Sequence, residues 1–177
     1  HKLIHTAQKE AVDSDKQARQ FLLLMQWLKS AGYEHYEVSN FALPGYRSRH
    51  NSAYWQGKKY LGLGPSAHSY NGSYRMWNKP NNNLYIRSIA EGILPQEAEE
   101  LTPTESLNET IMISLRTAEG LDLQRVQQQF GKDKKAALEK GIQKHLSQHL
   151  LQQDGELVQL TESGMLMADG IAADLFF

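Results

Sequence analysis

Cysteine is absent from the 177 residues. That excludes disulfides, thiolate zinc sites, a cysteine nucleophile and any iron–sulfur cluster ligated by cysteines of this chain. Excess charge is missing too: 19 Lys and Arg face 20 Asp and Glu, a net charge of -1, which rules out a globally basic surface wrapped on nucleic acid. No apolar run approaches the roughly 20 residues that a membrane-spanning helix requires. What is present is ordinary for a folded protein. Hydrophobic residues make up 40% and charged residues 22%, enough for a packed core and incompatible with wholesale disorder. The length suits one domain, or one domain with a small appendage. The opening HKLIHTAQKE reads neither as a signal peptide nor as the start of a domain, so we expect a chain that continues upstream.

Charge is unevenly divided. Residues 1–99 carry 12 Lys and Arg against 8 Asp and Glu, and residues 100–177 carry 7 against 12. The first part is rich in Gly, Tyr, Asn and Pro between Gly32 and Pro95, and the second is helix-friendly. We place a module boundary in PQEAEELTP and expect two units, 1–98 and 99–177. Asp13 or Ser14 caps a first helix whose stripe is Ala18, Phe21, Leu22, Met25 and Leu28, ended by Gly32. YEHYEVSNFA then alternates like a strand, the αβ half of a βαβ unit. KKYLGLGPSAHSY reads as strand then turn, GSYRMWN as a return strand after Asn71-Gly72, and NNNLYIRSIAEG as a capped helix. Beyond Thr104 come a helix with the stripe Leu107, Ile111, Met112 and Leu115, two further helices, a hairpin tipped by Asp154-Gly155, and a closing helix. That order is winged-helix-like. A DNA-binding reading suffers from the acidity of this half, since phosphate contacts need clustered cations.

The densest chemistry lies in RSRHNSAYW, Arg47 to Trp55, which we read as a loop. Imidazole and phenolate are haem-iron ligands, and guanidinium forks suit carboxylates such as porphyrin propionates. A loop with its aromatics packed inward and its His donating to a carbonyl fits the same residues. LGLGPSAHS, Leu61 to Ser69, has glycines two apart, which either let a ligand touch backbone and free N–H groups face an anion, or make a tight turn; it lacks the third Gly of a dinucleotide motif. His145 and His149 stand four apart on an expected helix, a metal-gripping spacing or a solvated face. His35, between Glu34 and Tyr36, reads as a strand-face His.

The run GYEHYEVSNFALPGYRSRHNSAYWQGKKYLGLGPSAHSY resembles the HemW family, radical S-adenosylmethionine (SAM) proteins related to the oxygen-independent coproporphyrinogen III oxidase HemN. YEVSNFA, the HNxxYW motif at His50 to Trp55, and GLGPSAHS at Gly62 to Ser69 carry the likeness. SLRTAEGLDL and LTESGMLMADGIAADLF continue it more loosely into a HemN-type C-terminal domain. The resemblance implies an α+β chain: the tail of a partial α/β (TIM-like) radical SAM barrel, then a mainly helical, winged-helix-like HemN C-terminal domain. It implies that a 4Fe-4S cluster and SAM belong to the full-length protein, with the cluster-binding CxxxCxxC loop absent here and this stretch alone not catalytic. The SAM vicinity would be Gly62, Gly64, Ser66, Ala67 and His68; the oxidases have Ile where His68 stands, so only a backbone or packing contact carries over there.

HNxxYW separates haem chaperones of this kind from the oxidases. The resemblance therefore implies haem binding through Arg47, Arg49, His50, Asn51, Tyr54 and Trp55, with His50 the candidate iron ligand and Tyr54 second, beside an aromatic wall that includes Tyr46. Haem would pass to an acceptor protein in the cytoplasm, any membrane contact being peripheral and through the acceptor, with no nucleic acid involved. A coproporphyrinogen III oxidase and a stand-alone winged-helix interaction module are the alternatives.

Overall fold

The computed structural model describes residues 13–177. Its first helix, α1 (Ser14–Ser30), starts where the Asp13 carboxylate accepts from the Lys16 amide at 3.0 Å, satisfying one of the orphan donors of the first turn. It ends at Ala31, and Gly32 turns the chain at a φ of 81°, a conformation that glycine adopts without strain. Of the expected stripe only Met25 is buried, while Leu23, Leu24 and Trp27 are exposed.

YEHYEVSNFA is a tight hairpin rather than one strand. β1 (Glu34–Glu37) pairs antiparallel with β2 (Asn40–Ala42). The reversal falls at Val38 and Ser39 because the Glu37 carboxylate accepts from the Ser39 amide at 2.9 Å and from the Asn40 side-chain amide. All strand pairings among the described residues are antiparallel, so the helix-then-strand order does not lead into a parallel sheet within them. RSRHNSAYW is not a loop either: it folds as α2 (Arg49–Trp55), with the Ser48 hydroxyl accepting from the Asn51 amide at 3.2 Å. Ser48→Ala is expected to destabilise the protein by about 1 kcal/mol, the usual worth of an N-cap, measurable by urea denaturation.

The next strand follows the Gly/Pro turn instead of preceding it. β3 (His68–Tyr70), β4 (Tyr74–Asn78) and β5 (Gln96–Glu100) form one sheet in the order β3-β4-β5. The segment in which the module boundary is expected thus includes an edge strand of this sheet. Cross-strand pairs explain the register: Arg75 sits opposite Glu99, and Trp77 opposite Glu97, to which its indole donates at 3.1 Å. α3 (Asn82–Ala90), capped by Asn81, occupies the crossover.

A capping box opens α4 (Pro103–Arg116). Glu105 accepts from the Thr102 amide at 2.8 Å, and the Thr102 hydroxyl accepts from the Glu105 amide at 3.2 Å. Then follow β6 (Leu121–Asp122), α5 (Leu123–Phe130), α6 (Lys132–Ser147), β7 (Leu151–Asp154), β8 (Leu157–Leu160), α7 (Glu162–Met165) and α8 (Ala168–Asp174). The helix–strand–helix–helix–hairpin order, with the sheet arranged β6-β8-β7, is the expected winged-helix pattern. Its core is one cluster of buried side chains running from Leu107, Ile111 and Leu115 through Leu123, Leu138, Ile142 and Val158 to Ile171 and Leu175. Met112, expected in that stripe, is 40% exposed.

The hairpin of β1 and β2 is clamped to the end of α4. Glu37, 1% exposed at its side chain, accepts from Arg116 Nε at 3.1 Å and Nη2 at 2.9 Å. The Val38 amide donates to the Arg116 carbonyl at 2.9 Å, and the Ala118 amide to the Tyr36 carbonyl at 3.1 Å.

Candidate functional site

The histidine–phenol spacing of HNxxYW acquires its meaning from the helix. Residues four apart share a helical face, so His50 and Tyr54 meet edge-on, ring centroids 4.9 Å apart at 90°. Tyr54 in turn lies 4.5 Å from Tyr60, and Tyr60 6.2 Å from Tyr70, making an aromatic row from α2 into the sheet. His50 is exposed. Burial, with the neighbouring Tyr54, raises the Tyr60 phenol above its ordinary value.

The row borders a cleft of about 350 Å³ between α2 and α4. Asn51, Tyr54 and Trp55 of the predicted site line it, while Arg47, Arg49 and His50 do not; His50 stands one turn from Tyr54, at the rim. Trp55 presents a buried indole N–H with no acceptor, and Arg116 lies over its ring at 5.7 Å. Arg47 is spent elsewhere, with Nε on Glu34 at 2.9 Å, Nη1 on Glu119 at 2.7 Å, and the guanidinium 5.4 Å above Tyr36. Burial pulls its pKa down, but the hydrogen bonds to both acids outweigh this and leave it raised. Arg47 therefore fastens β1 to the turn after α4. Arg49 is exposed, and Tyr46 is 80% exposed.

Sequence reasoning missed Lys58, Arg75 and Arg125, all of which line the cleft. The Asn71-Gly72 turn held the signal for Arg75, because a hairpin there sets Tyr70 directly opposite it. Arg75 bridges to Glu109 at 2.8 Å and Glu99 at 3.5 Å. Exposed Met112 also faces this cleft.

GLGPSAHS forms a second, self-contained arrangement. Four of its amides are bonded within the chain rather than free for an anion: Gly62 donates to Ser69 Oγ at 2.9 Å, Gly64 to the Tyr85 hydroxyl at 3.1 Å, Ser66 to the Asn78 carbonyl at 3.1 Å, and Ala67 to the Gly64 carbonyl at 3.3 Å. Buried Asn78, also missed, ties the loop from inside, donating to the Gly62 and Gly64 carbonyls at 3.3 and 2.8 Å. The free side of Gly62 abuts the His68 backbone, whereas the side of Gly64 is open. Ser66 holds a φ of 62°, an uncommon state for a residue with a side chain. His68 is exposed, 6.4 Å from the Trp77 ring.

Among the described residues no group of three His, Asp or Glu could hold a metal ion. His145 is buried on α6, 3.5 Å from Asp174, so it is not part of a solvated face, and His149 lies past the helix end at a φ of 56°. His35 stacks on Phe41 at 4.0 Å, with Nε2 3.0 Å from the Val38 carbonyl.

Comparison with known proteins follows the same lines. Residues 101–167 match the HemN C-terminal domain family. The chain is 34% identical over 166 residues to "Heme chaperone HemW" of Mycobacterium tuberculosis, covering 93% of this chain and 40% of that one. It is 28% identical over 158 residues to the Bacillus subtilis protein of the same name, with coverage of 89% and 42%. Among solved structures it is similar to coproporphyrinogen III oxidase (HemN) from Escherichia coli, a radical SAM enzyme, at a TM-score of 0.65 and 22% identity, covering 86% of this chain and 39% of that one. The chain thus spans about two fifths of the length of these relatives.

Proposed function

The chain belongs to the HemW family, relatives of the HemN-type oxidases, and on that premise we propose that α2 and the cleft beside it bind haem for transfer to an acceptor protein. The observation that carries this reading is an exposed His50 stacked edge-on against Tyr54 at the rim of an aromatic cleft. An imidazole in that position is available to iron, and the row Tyr54, Tyr60 and Tyr70 offers the apolar wall that a porphyrin plate needs. An open rim suits a carrier, which must release its cargo. The relatives named as haem chaperones support this over porphyrin oxidation.

Haem is here the cargo, and its carriage asks only for binding and release. The 4Fe-4S cluster of the wider family finds no ligands in a chain with 0 Cys, and we assign it no role in what these residues do. SAM, which in such proteins supplies radical chemistry, would meet the loop from Gly62 to His68 through Gly64's open side and side-chain packing, since the amides of Gly62, Gly64, Ser66 and Ala67 are already bonded within the chain. We further propose that residues 13–98 are the closing elements of a radical SAM barrel and residues 99–177 a separate C-terminal domain. The buried cluster confined to Leu107 through Leu175 supports that division. Transfer in the cytoplasm, with any membrane contact through the acceptor, is in keeping with the lack of a helix among the described residues long and apolar enough to span a bilayer.

Titrating haem into the wild-type chain and into His50→Ala tests the proposal. The wild type is expected to give a shifted Soret band, and the variant to bind about ten- to a hundredfold more weakly, the loss expected of one ligand contact of about 1.4–2.8 kcal/mol. An unchanged band and affinity in the variant would remove His50 from the role.

A further inference from the structure

Resting on that haem reading, we infer that the cleft between α2 and α4 receives the carboxylate-bearing edge of the porphyrin, with Lys58 and Arg125 as the cations that pair with it. The sequence suggests Arg47 and Arg49 for this task, but Arg47 is locked between Glu34 and Glu119 and neither arginine lines the cleft. The charged side chains that do line it are Lys58, Arg75, Arg125 and Glu109. Arg75 is bridged to Glu109 and Glu99, which neutralises the single acid of the lining. Lys58 and Arg125 then remain as cations with no acidic partner among the described residues.

The Trp55 ring lines the same cleft, while its indole N–H is shut off from solvent and does not open onto the cavity. The cleft therefore combines aromatic walls with two cations that no acid pairs among the described residues, the complement of a flat apolar molecule that ends in carboxylates. A volume of about 350 Å³ lies at the low end for an enclosed small-molecule site, roughly 300–1,000 Å³. It suits one edge of a macrocycle, leaving the metal-bearing centre at the rim where His50 stands.

The test compares haem with haem dimethyl ester, in which both carboxylates are masked, on the wild-type chain and on a Lys58→Met/Arg125→Met double variant. Both side chains are exposed, so the variant is expected to fold, and an unchanged melting temperature checks this. The wild type is expected to favour haem over the ester by about tenfold, in line with about 1.4 kcal/mol for charge-assisted pairing at an open site. The double variant is expected to bind both equally, at the affinity the wild type shows for the ester. Equal binding of the two ligands by the wild type, or a double variant that keeps the wild-type preference, overturns the assignment of Lys58 and Arg125 and leaves haem binding at His50 standing. A wild type that binds neither ligand overturns the haem reading and this inference with it.

Discussion

Glu37→Ala is expected to cost about 3–5 kcal/mol of stability, the range for breaking a buried ion pair from one side. Four donors converge on this one carboxylate: two from Arg116, the Ser39 amide and the Asn40 side chain. Removing it leaves the Arg116 guanidinium, 21% exposed, with only the exposed Asp169 as a partner, and it opens the turn between β1 and β2. Both consequences act at the joint that holds the hairpin to α4. For a chain of this length the loss corresponds to a fall in melting temperature on the order of 10 °C. Urea denaturation followed by circular dichroism measures it. A cost near the roughly 0–1 kcal/mol of an exposed ion pair would show that the clamp is not holding the two parts together.

Gly62→Ala is expected to cost about 2–3 kcal/mol from overpacking against backbone. A Cβ there would overlap the His68 carbonyl oxygen, with the His68 carbonyl carbon and amide nitrogen also closer than van der Waals contact allows. None of those atoms belongs to a side chain that can swing away. Gly64→Ala provides the contrast. Its Cβ would meet open space, but its φ of 100° is one that a residue with a side chain resists, which costs on the order of 1–2 kcal/mol. Two glycines of one motif are thus required for different reasons, one by contact and one by backbone angle. Amide exchange at Ser66 and Ala67, whose N–H groups are bonded within the loop, is expected to accelerate more in Gly62→Ala. Equal protection in the two variants would contradict the steric account.

Local rules carried much of the fold. Asp13 and an Asn before α3, here Asn81, cap their helices as the sequence suggests, while the capping box at Thr102 starts α4 earlier than its reading near Thr104, and the strand after Asn71-Gly72 forms where the turn chemistry puts it. The misreadings come from contacts that no window of sequence contains. Val38 continues an alternating pattern and so reads as strand, but Glu37 turns its carboxylate onto the next two residues because Arg116, 79 residues away, fixes it there. The acidic stretch Gln96–Glu100 reads as a module boundary, and its strand is not visible until Arg75 and Trp77 supply partners on β4. The site divides in the same way. His50 and Tyr54 are legible because helical spacing joins them. Lys58 and Arg125 are not, since their shared cleft exists only once α4 has packed beside α2. Arg47 shows the reverse error: a residue of the right type in the right segment, diverted to Glu34 and Glu119.

The walls of the cleft come from stretches of chain about sixty residues apart, one around Tyr54 and one around Met112. Occupancy and folding are therefore linked by mass action: whatever fills the cleft binds only when both walls are in place. A ligand at a hundred times its dissociation constant adds about 2.7 kcal/mol to the folded state. That is of the same order as the worth of the Glu37–Arg116 joint, so the protein with its cleft filled would hold together under conditions that loosen the empty one, and emptying the cleft would return it to its softer state.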